Sequence, residues 1–219
     1  MSIFYRILFG IIAISIPAVC ISGAFNIVYR MPDLYAYEFN KYQITDEIDL
    51  DIRDDELGQF FSDFMTGKQD EFNLFAEYRD REQSVFGTVE KTNMENARRL
   101  LNDTLYILGG AAALAVIGIA ICLIKMKKYE LRIAFKVGIA VFTGVITTLF
   151  ILLNIEQTKE FLYRKVFTHQ FGADDVLPLI LTEHFSKSSL IAVSVVGLIL
   201  LVIFASIVWR LTKPRRMFW

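Results

Sequence analysis

Four apolar runs without a single charged residue divide this chain, at residues 7–29, 104–124, 137–155 and 190–209. They hold 23, 21, 19 and 20 residues. A hydrocarbon core about 30 Å thick takes roughly 20 helical residues to cross, so each run is long enough to span it. The expected fold class is therefore an all-α membrane protein with four transmembrane helices. A small α(+β) extracytoplasmic domain, residues 30–103, is expected between the first helix and the second.

The formal charge of −1 averages two unequal compartments. Arg6, the linker 125–136 and the tail 210–219 together carry ten Lys or Arg against one acid, Glu130. Residues 30–103 and 156–189 carry 13 Lys or Arg against 23 Asp or Glu. Short segments rich in Lys and Arg stay on the cytoplasmic side. Both termini are thus expected inside, with 125–136 as a cytoplasmic linker, 210–219 as a cytoplasmic basic tail, and 156–189 as a second extracytoplasmic loop. The first run is longer than the usual core of a cleaved signal and lacks a small-x-small site at its end, so it is expected to remain as an anchor. Val19 is too large for the position before a lipid-modified cysteine at Cys20. Cys20 and Cys122 both fall inside spans, where they are expected as apolar packing residues and form no zinc spacing.

Local patterns add detail. Pro17 removes a backbone donor in the middle of the first span and is expected to bend it. The small residues of the second span, from Gly109 to Ala120, predict close helix contacts at the bundle centre. Tyr35, Tyr37, Phe39 and Tyr42 suit the interfacial layer. Leu57, Phe60, Phe61, Phe64 and Met65 recur at helical spacing and predict an amphipathic helix over 55–65, ended by Gly67 and packed within the outer domain. Strands are expected at 73–78 and 83–88. From Val89 the pattern becomes helical and runs into the second span, with Met94, Ala97, Leu100, Leu101 and Leu105 on one stripe. Glu90, Asn93 and Asn96 are neighbours at helical spacing. The second outer loop holds both histidines, His169 and His184. Its apolar stretch 177–181 is too short to span, so it either dips into the interface or covers the mouth of the bundle.

Phosphate loops, nucleophile elbows, HExxH and dinucleotide fingerprints are missing from the sequence. The basic residues follow the topology rule, which gives no reason to expect nucleic acid as a partner. No span carries the row of charges that marks an ion path. No metal or organic cofactor is expected.

The order of spans and loops, with three outer stretches, resembles the bacterial lipoprotein intramolecular transacylases. The stretches are residues 30–44, 55–68 (DELGQFFSDFMTGK) and 175–185 (DVLPLILTEHF). A fourth, 93–98 (NMENAR), stands where that family usually reads His-Met-x-Asp-Val-Lys/Arg. The resemblance implies a multi-pass protein of the bacterial cytoplasmic membrane. It also implies movement of an acyl chain from the glyceryl group of a diacylated lipoprotein to the amine of its N-terminal cysteine. The family is thought to use one histidine at the mouth of the second span and another in the second outer loop. Here Asn93 stands at the first place and Asn96 replaces the following carboxylate. The counterpart of the second is either Arg164 or His169. Asparagine and arginine cannot act as bases near neutral pH.

The candidate catalytic residues are therefore His169 as base, oriented by Asp174 or Asp175, with Asn93 as an oxyanion donor and Arg164 as the alternative match. Otherwise His169 and His184 are interfacial polar residues, and Glu183 and Asp175 cap helices. The alternative function is an inactive relative that binds lipoproteins or another membrane protein through its outer domain. Membrane lipids are partners under either reading.

Overall fold

A computed structural model describes residues 3–78, 81–125 and 127–213. In chain order the elements are α1 (Ile3–Val28), α2 (Pro32–Tyr42), α3 (Ile44–Glu47), α4 (Asp54–Thr66), β1 (Phe75–Tyr78), β2 (Arg81–Ser84), α5 (Thr88–Ile124), α6 (Lys128–Leu153), α7 (Glu156–Val166), α8 (Leu177–Ile180) and α9 (Glu183–Thr212). Helices α1, α5, α6 and α9 are long and apolar enough to cross a membrane, and each follows one of the four charge-free runs, with α1 ending one residue and α6 two residues before its run does. The chain is a multi-pass, mainly helical membrane protein. Among the described residues, β-structure is limited to one antiparallel pair in which Phe75 faces Ser84 and Ala76 faces Gln83. Arg215 and Arg216 of the basic tail lie outside the described residues.

The residues divide into two compact units. The first comprises parts of the four long helices. Its core is Leu8, Ile12, Ile16 and Cys20 of α1, Cys122 of α5, Leu131, Ala134, Phe135 and Phe142 of α6, and Leu201 and Val208 of α9. The most enclosed apolar stretch is that of α1, 61% buried, against 17% for α5. The glycine-rich second span is thus not the centre that its composition predicts. Nothing lies within 4 Å of a Cβ placed at Gly109 or Gly110, whereas at Gly118 the Ile12 side chain would be 2.6 Å away. Among the three glycines of that face, only Gly118 is in close contact with α1. Pro17 leaves the Ala13 carbonyl without its usual donor, and α6 packs against that place: a Cβ on Gly138 would lie 3.2 Å from the Ala13 oxygen. Near the start of α6, Arg132 donates from Nε to the Thr212 hydroxyl at 2.8 Å and from an Nη to its carbonyl at 3.0 Å. Its guanidinium lies over the Trp209 ring, 4.9 Å from the centroid. A cation thereby meets the carbonyl-rich end of α9, where the helix dipole favours it.

The second unit, Phe25–Asp103 and Ile151–Val193, is built on aromatic rings. Phe72 sits at the centre, with ring centroids of Phe86 at 4.5 Å, Phe60 at 4.9 Å, Phe64 at 5.0 Å and Phe61 at 5.2 Å. Each such pair is worth about 0.5–1.5 kcal/mol beyond the area it buries. Helix α4 contributes Leu57, Phe61, Phe64 and Met65 to this core and ends at Gly67, whose φ of +84° suits glycine. Its apolar face is packed within the unit, as expected.

Two expectations need correction here. Residues 32–42 form helix α2, with Pro32 at its first position and Asp33 in its first turn. Tyr35 and Phe39 lie in the core rather than at an interface, while Tyr37 is 64% exposed. The second strand ends at Ser84, and Gly87, whose amide bonds Glu90, immediately precedes helix α5. In the stretch 177–181, Leu177 and Ile180 are buried in the aromatic core of this unit, while Leu179 is 53% exposed.

Candidate functional site

Helix α5 begins with three polar side chains, Glu90, Asn93 and Asn96, spaced three residues apart. Each fastens a different point of the segment from the end of α7 to the start of α8. Glu90 is 1% exposed. Its Oε2 accepts the Gly87 amide at 2.7 Å and its Oε1 accepts the Leu177 amide at 2.6 Å. The first bond is the reciprocal half of a capping box, a glutamate in the first turn answering the amide that precedes the helix. The second ties the buried turn α8 to α5. Burial pushes the Glu90 carboxyl above its ordinary range, an effect that Asp175 reinforces and the Gly87, Leu177 and Val176 amides oppose.

Asn93 is fully buried. Its Nδ2 donates to the His169 carbonyl and its Oδ1 accepts the His169 amide, both at 3.0 Å. One side-chain amide thus replaces a strand partner for one residue of an irregular loop. Asn96 donates from Nδ2 to the Val166 carbonyl at 2.8 Å, and its Oδ1 accepts from Arg99 at 2.8 Å. The rungs therefore bind Leu177, His169 and Val166 in descending order along α5.

The sequence-predicted residues are placed unequally by this arrangement. Asn93 and His169 are in direct contact, but through the histidine backbone. The His169 side chain is exposed, and its Nδ1 lies 3.1 Å from the Thr168 hydroxyl. Asp175 accepts the Gly172 amide at 2.7 Å and caps that turn. Among the described residues, no hydrogen bond joins Asp174 or Asp175 to the imidazole. Arg164 is exposed and paired with Glu160 at 2.6 Å, one helical turn away on α7. His184 stacks on Tyr42 with centroids 5.2 Å apart. Glu183 bonds Lys159 at 2.8 Å and Lys187 at 2.7 Å, which hold its carboxyl down to about 2.

Chemically, His169 is the one predicted site residue that carries an imidazole, the side chain most often used as a general base. Asn93 has both ends of its amide engaged, so it positions the loop and presents no free donor. Two buried polar residues were missed as individuals by sequence reasoning. Glu90 carried a recoverable signal, the spacing from Gly87 that marks a capping box. Glu38, 2% exposed on α2, was masked by the aromatic and charged residues on both sides of it.

The sequence matches the family described as lipoprotein intramolecular transacylase Lit over residues 10–185. None of the curated proteins matches it significantly. Among solved structures, it is similar to the membrane integral lipoprotein intramolecular transacylase Lit from Bacillus cereus, with a TM-score of 0.73 and 19% identity over 100% of both chains. Two variants of that protein are equally similar. One carries a histidine-to-arginine change (TM-score 0.74, 19% identity, 98% of this chain and 94% of that one). The other carries a histidine-to-alanine change (TM-score 0.74, 19% identity, 98% and 96%). At this identity the likeness to solved structures establishes the fold.

Proposed function

The chain belongs to the lipoprotein intramolecular transacylase family, and from that premise we propose that it works on diacylated lipoproteins at the outer leaflet of a bacterial cytoplasmic membrane. In this reading both termini are cytoplasmic, and residues 30–103 and 156–189 face outward, as the distribution of Lys and Arg favours. The reaction moves an acyl chain within one lipid-modified cysteine. The imidazole of His169 takes a proton from the cysteine α-amine, and the amine nitrogen attacks the ester carbonyl carbon. The bond from that carbon to the glyceryl oxygen breaks, and the imidazolium returns its proton to the departing oxygen. An amide and a free hydroxyl result. Donor and acceptor share one residue, so proximity supplies much of the rate. The observation that carries this reading, beside family membership, is a histidine whose backbone is clamped by Asn93 while its ring is exposed, with Nδ1 beside the Thr168 hydroxyl.

A second reading is favoured by the same clamp. With Asn93 occupied and Arg164 held by Glu160, neither substituted position offers a base, which suits a relative that binds lipoproteins without modifying them. Expression in a bacterium lacking lipoprotein N-acylation separates the two. Mass spectrometry of lipoprotein N-terminal peptides is expected to find the acyl chain on the amine, and His169→Ala to abolish it. Unchanged peptides, with lipoprotein still retained by the purified protein, would replace the first reading by the second. If lipoproteins are neither modified nor retained, both readings fail.

A further inference from the structure

Glu38 is the one residue among those described that buries a carboxylate with neither oxygen hydrogen-bonded. It is 2% exposed and lies on α2, and among the described residues no ion pair reaches it. Helical spacing sets it beside Tyr35 and Tyr42, three residues before it and four after. Those two rings pack on consecutive residues of the first turn of α9: Tyr35 on Phe185, with centroids 5.5 Å apart, and Tyr42 on His184 at 5.2 Å. Glu38 therefore belongs to the aromatic face that α2 turns toward the start of α9. The acid of that turn, Glu183, is already matched by Lys159 and Lys187.

Burying a carboxylate without donors costs several kcal/mol, a cost that a folded chain escapes by pairing the group or by replacing it with an apolar one. Neither a hydrogen-bonded partner nor a replacement is present at Glu38. The nearest cation along the helix, Lys41, acts on it only through space and stays at the surface, with its ammonium over the rings of Tyr42 at 5.0 Å and Tyr37 at 5.7 Å. The rings of this helix thus already attract an ammonium group, as the negative faces of aromatic side chains do. A primary ammonium brings a positive charge and three N–H donors, which two free carboxylate oxygens can accept. Aromatic walls add affinity without competing for those donors.

We propose that Glu38 is the seat of a primary ammonium group, and that the group it receives is the α-amine of a lipoprotein's N-terminal cysteine. The identity of the ligand rests on the function proposed above, whereas the ammonium chemistry rests on α2 alone. Seating the amine there would fix one end of the acyl transfer, so Glu38 acts as a binding residue.

The test uses the full-length protein in lipid nanodiscs and three probes: a diacylglyceryl-cysteine peptide with a free amine, the same peptide N-acetylated, and dodecylammonium. Wild type is expected to prefer the free amine by about tenfold or more, the scale for losing one partner of a buried charge pair. Glu38→Gln, which keeps the shape, is expected to erase that preference. Glu38→Leu is expected to erase it too while raising the melting temperature, since it removes an unmatched buried charge. A preference that survives in Glu38→Gln overturns the proposal, as does a wild type that binds both peptides equally. In the latter case the lipoprotein reading stands without it. Dodecylammonium binding that depends on Glu38, with no binding of either peptide, supports the ammonium seat and removes the lipoprotein. If no probe binds, both ideas fall.

Discussion

Glu90 concentrates more structural consequence in one side chain than any predicted site residue. Removing it in Glu90→Ala leaves the Gly87 and Leu177 amides unmatched, and a bond to a charged acceptor is worth about 1.5–3 kcal/mol. A loss of about 2–4 kcal/mol is expected in thermal or denaturant unfolding, since the Gly87 amide regains some water. The same residue gives a pH signature. Its folded pKa is raised above the ordinary 4.5, chiefly by burial, so the native state binds more protons between the two values. Its contribution is fully present below the unfolded pKa and is lost as pH rises through the folded one. Glu90→Gln is expected to flatten that decline, which melting curves across mildly acidic pH would detect. At Asn93 the chemistry of the clamp decides. Asn93→Asp keeps an acceptor for the His169 amide but sets a carboxylate against the His169 carbonyl. It is expected to be at least as destabilising as Asn93→Ala, by about 1–3 kcal/mol in the same unfolding measurement.

Close approach is the rule between elements, and it can be tested where glycine permits it. A Cβ at Gly58 would meet the Ala36 backbone nitrogen at 2.7 Å and its Cα at 3.0 Å. Backbone cannot step aside as a flexible side chain can, so Gly58→Ala is expected to part α2 from α4 and cost about 1–3 kcal/mol. Thermal unfolding of that variant checks it. The four spans were legible because hydrocarbon demands long runs without charge, a requirement that local sequence alone reveals. Helix α4 was legible from its apolar spacing and its terminal glycine. Helix α2 was not, because four aromatics among charges fit an interface as well as a core, and only packing against Phe61 and Phe185 separates the two. Glu90, Asn93 and Asn96 could be placed beside one another from spacing. Their partners stand 87, 76 and 70 positions away, beyond any local pattern. The close approach of Gly118 to α1 was likewise hidden, since a run of small residues does not say which of them a neighbour will use.

At the scale of the whole chain, topology is the decisive expectation. A cysteine introduced at Asp51, with Cys20 and Cys122 buried, is expected to react with a membrane-impermeant maleimide on intact cells. Labelling only after lysis would invert the proposed orientation and remove the outward location on which the lipoprotein reading depends. The polar rungs of α5 carry a different consequence for the molecule as it varies. Three residues turn an α-helix through about 300°, so each rung is set back by about 60° from the one before. The strap from Val166 to Leu177 must therefore wind around α5 instead of running straight along it. Point changes between the rungs leave that path intact. Adding or deleting one residue between Glu90 and Asn96 would swing the later rungs about 100° away from their carbonyls. Between its rungs this stretch of α5 tolerates a change of residue but not a change in their number.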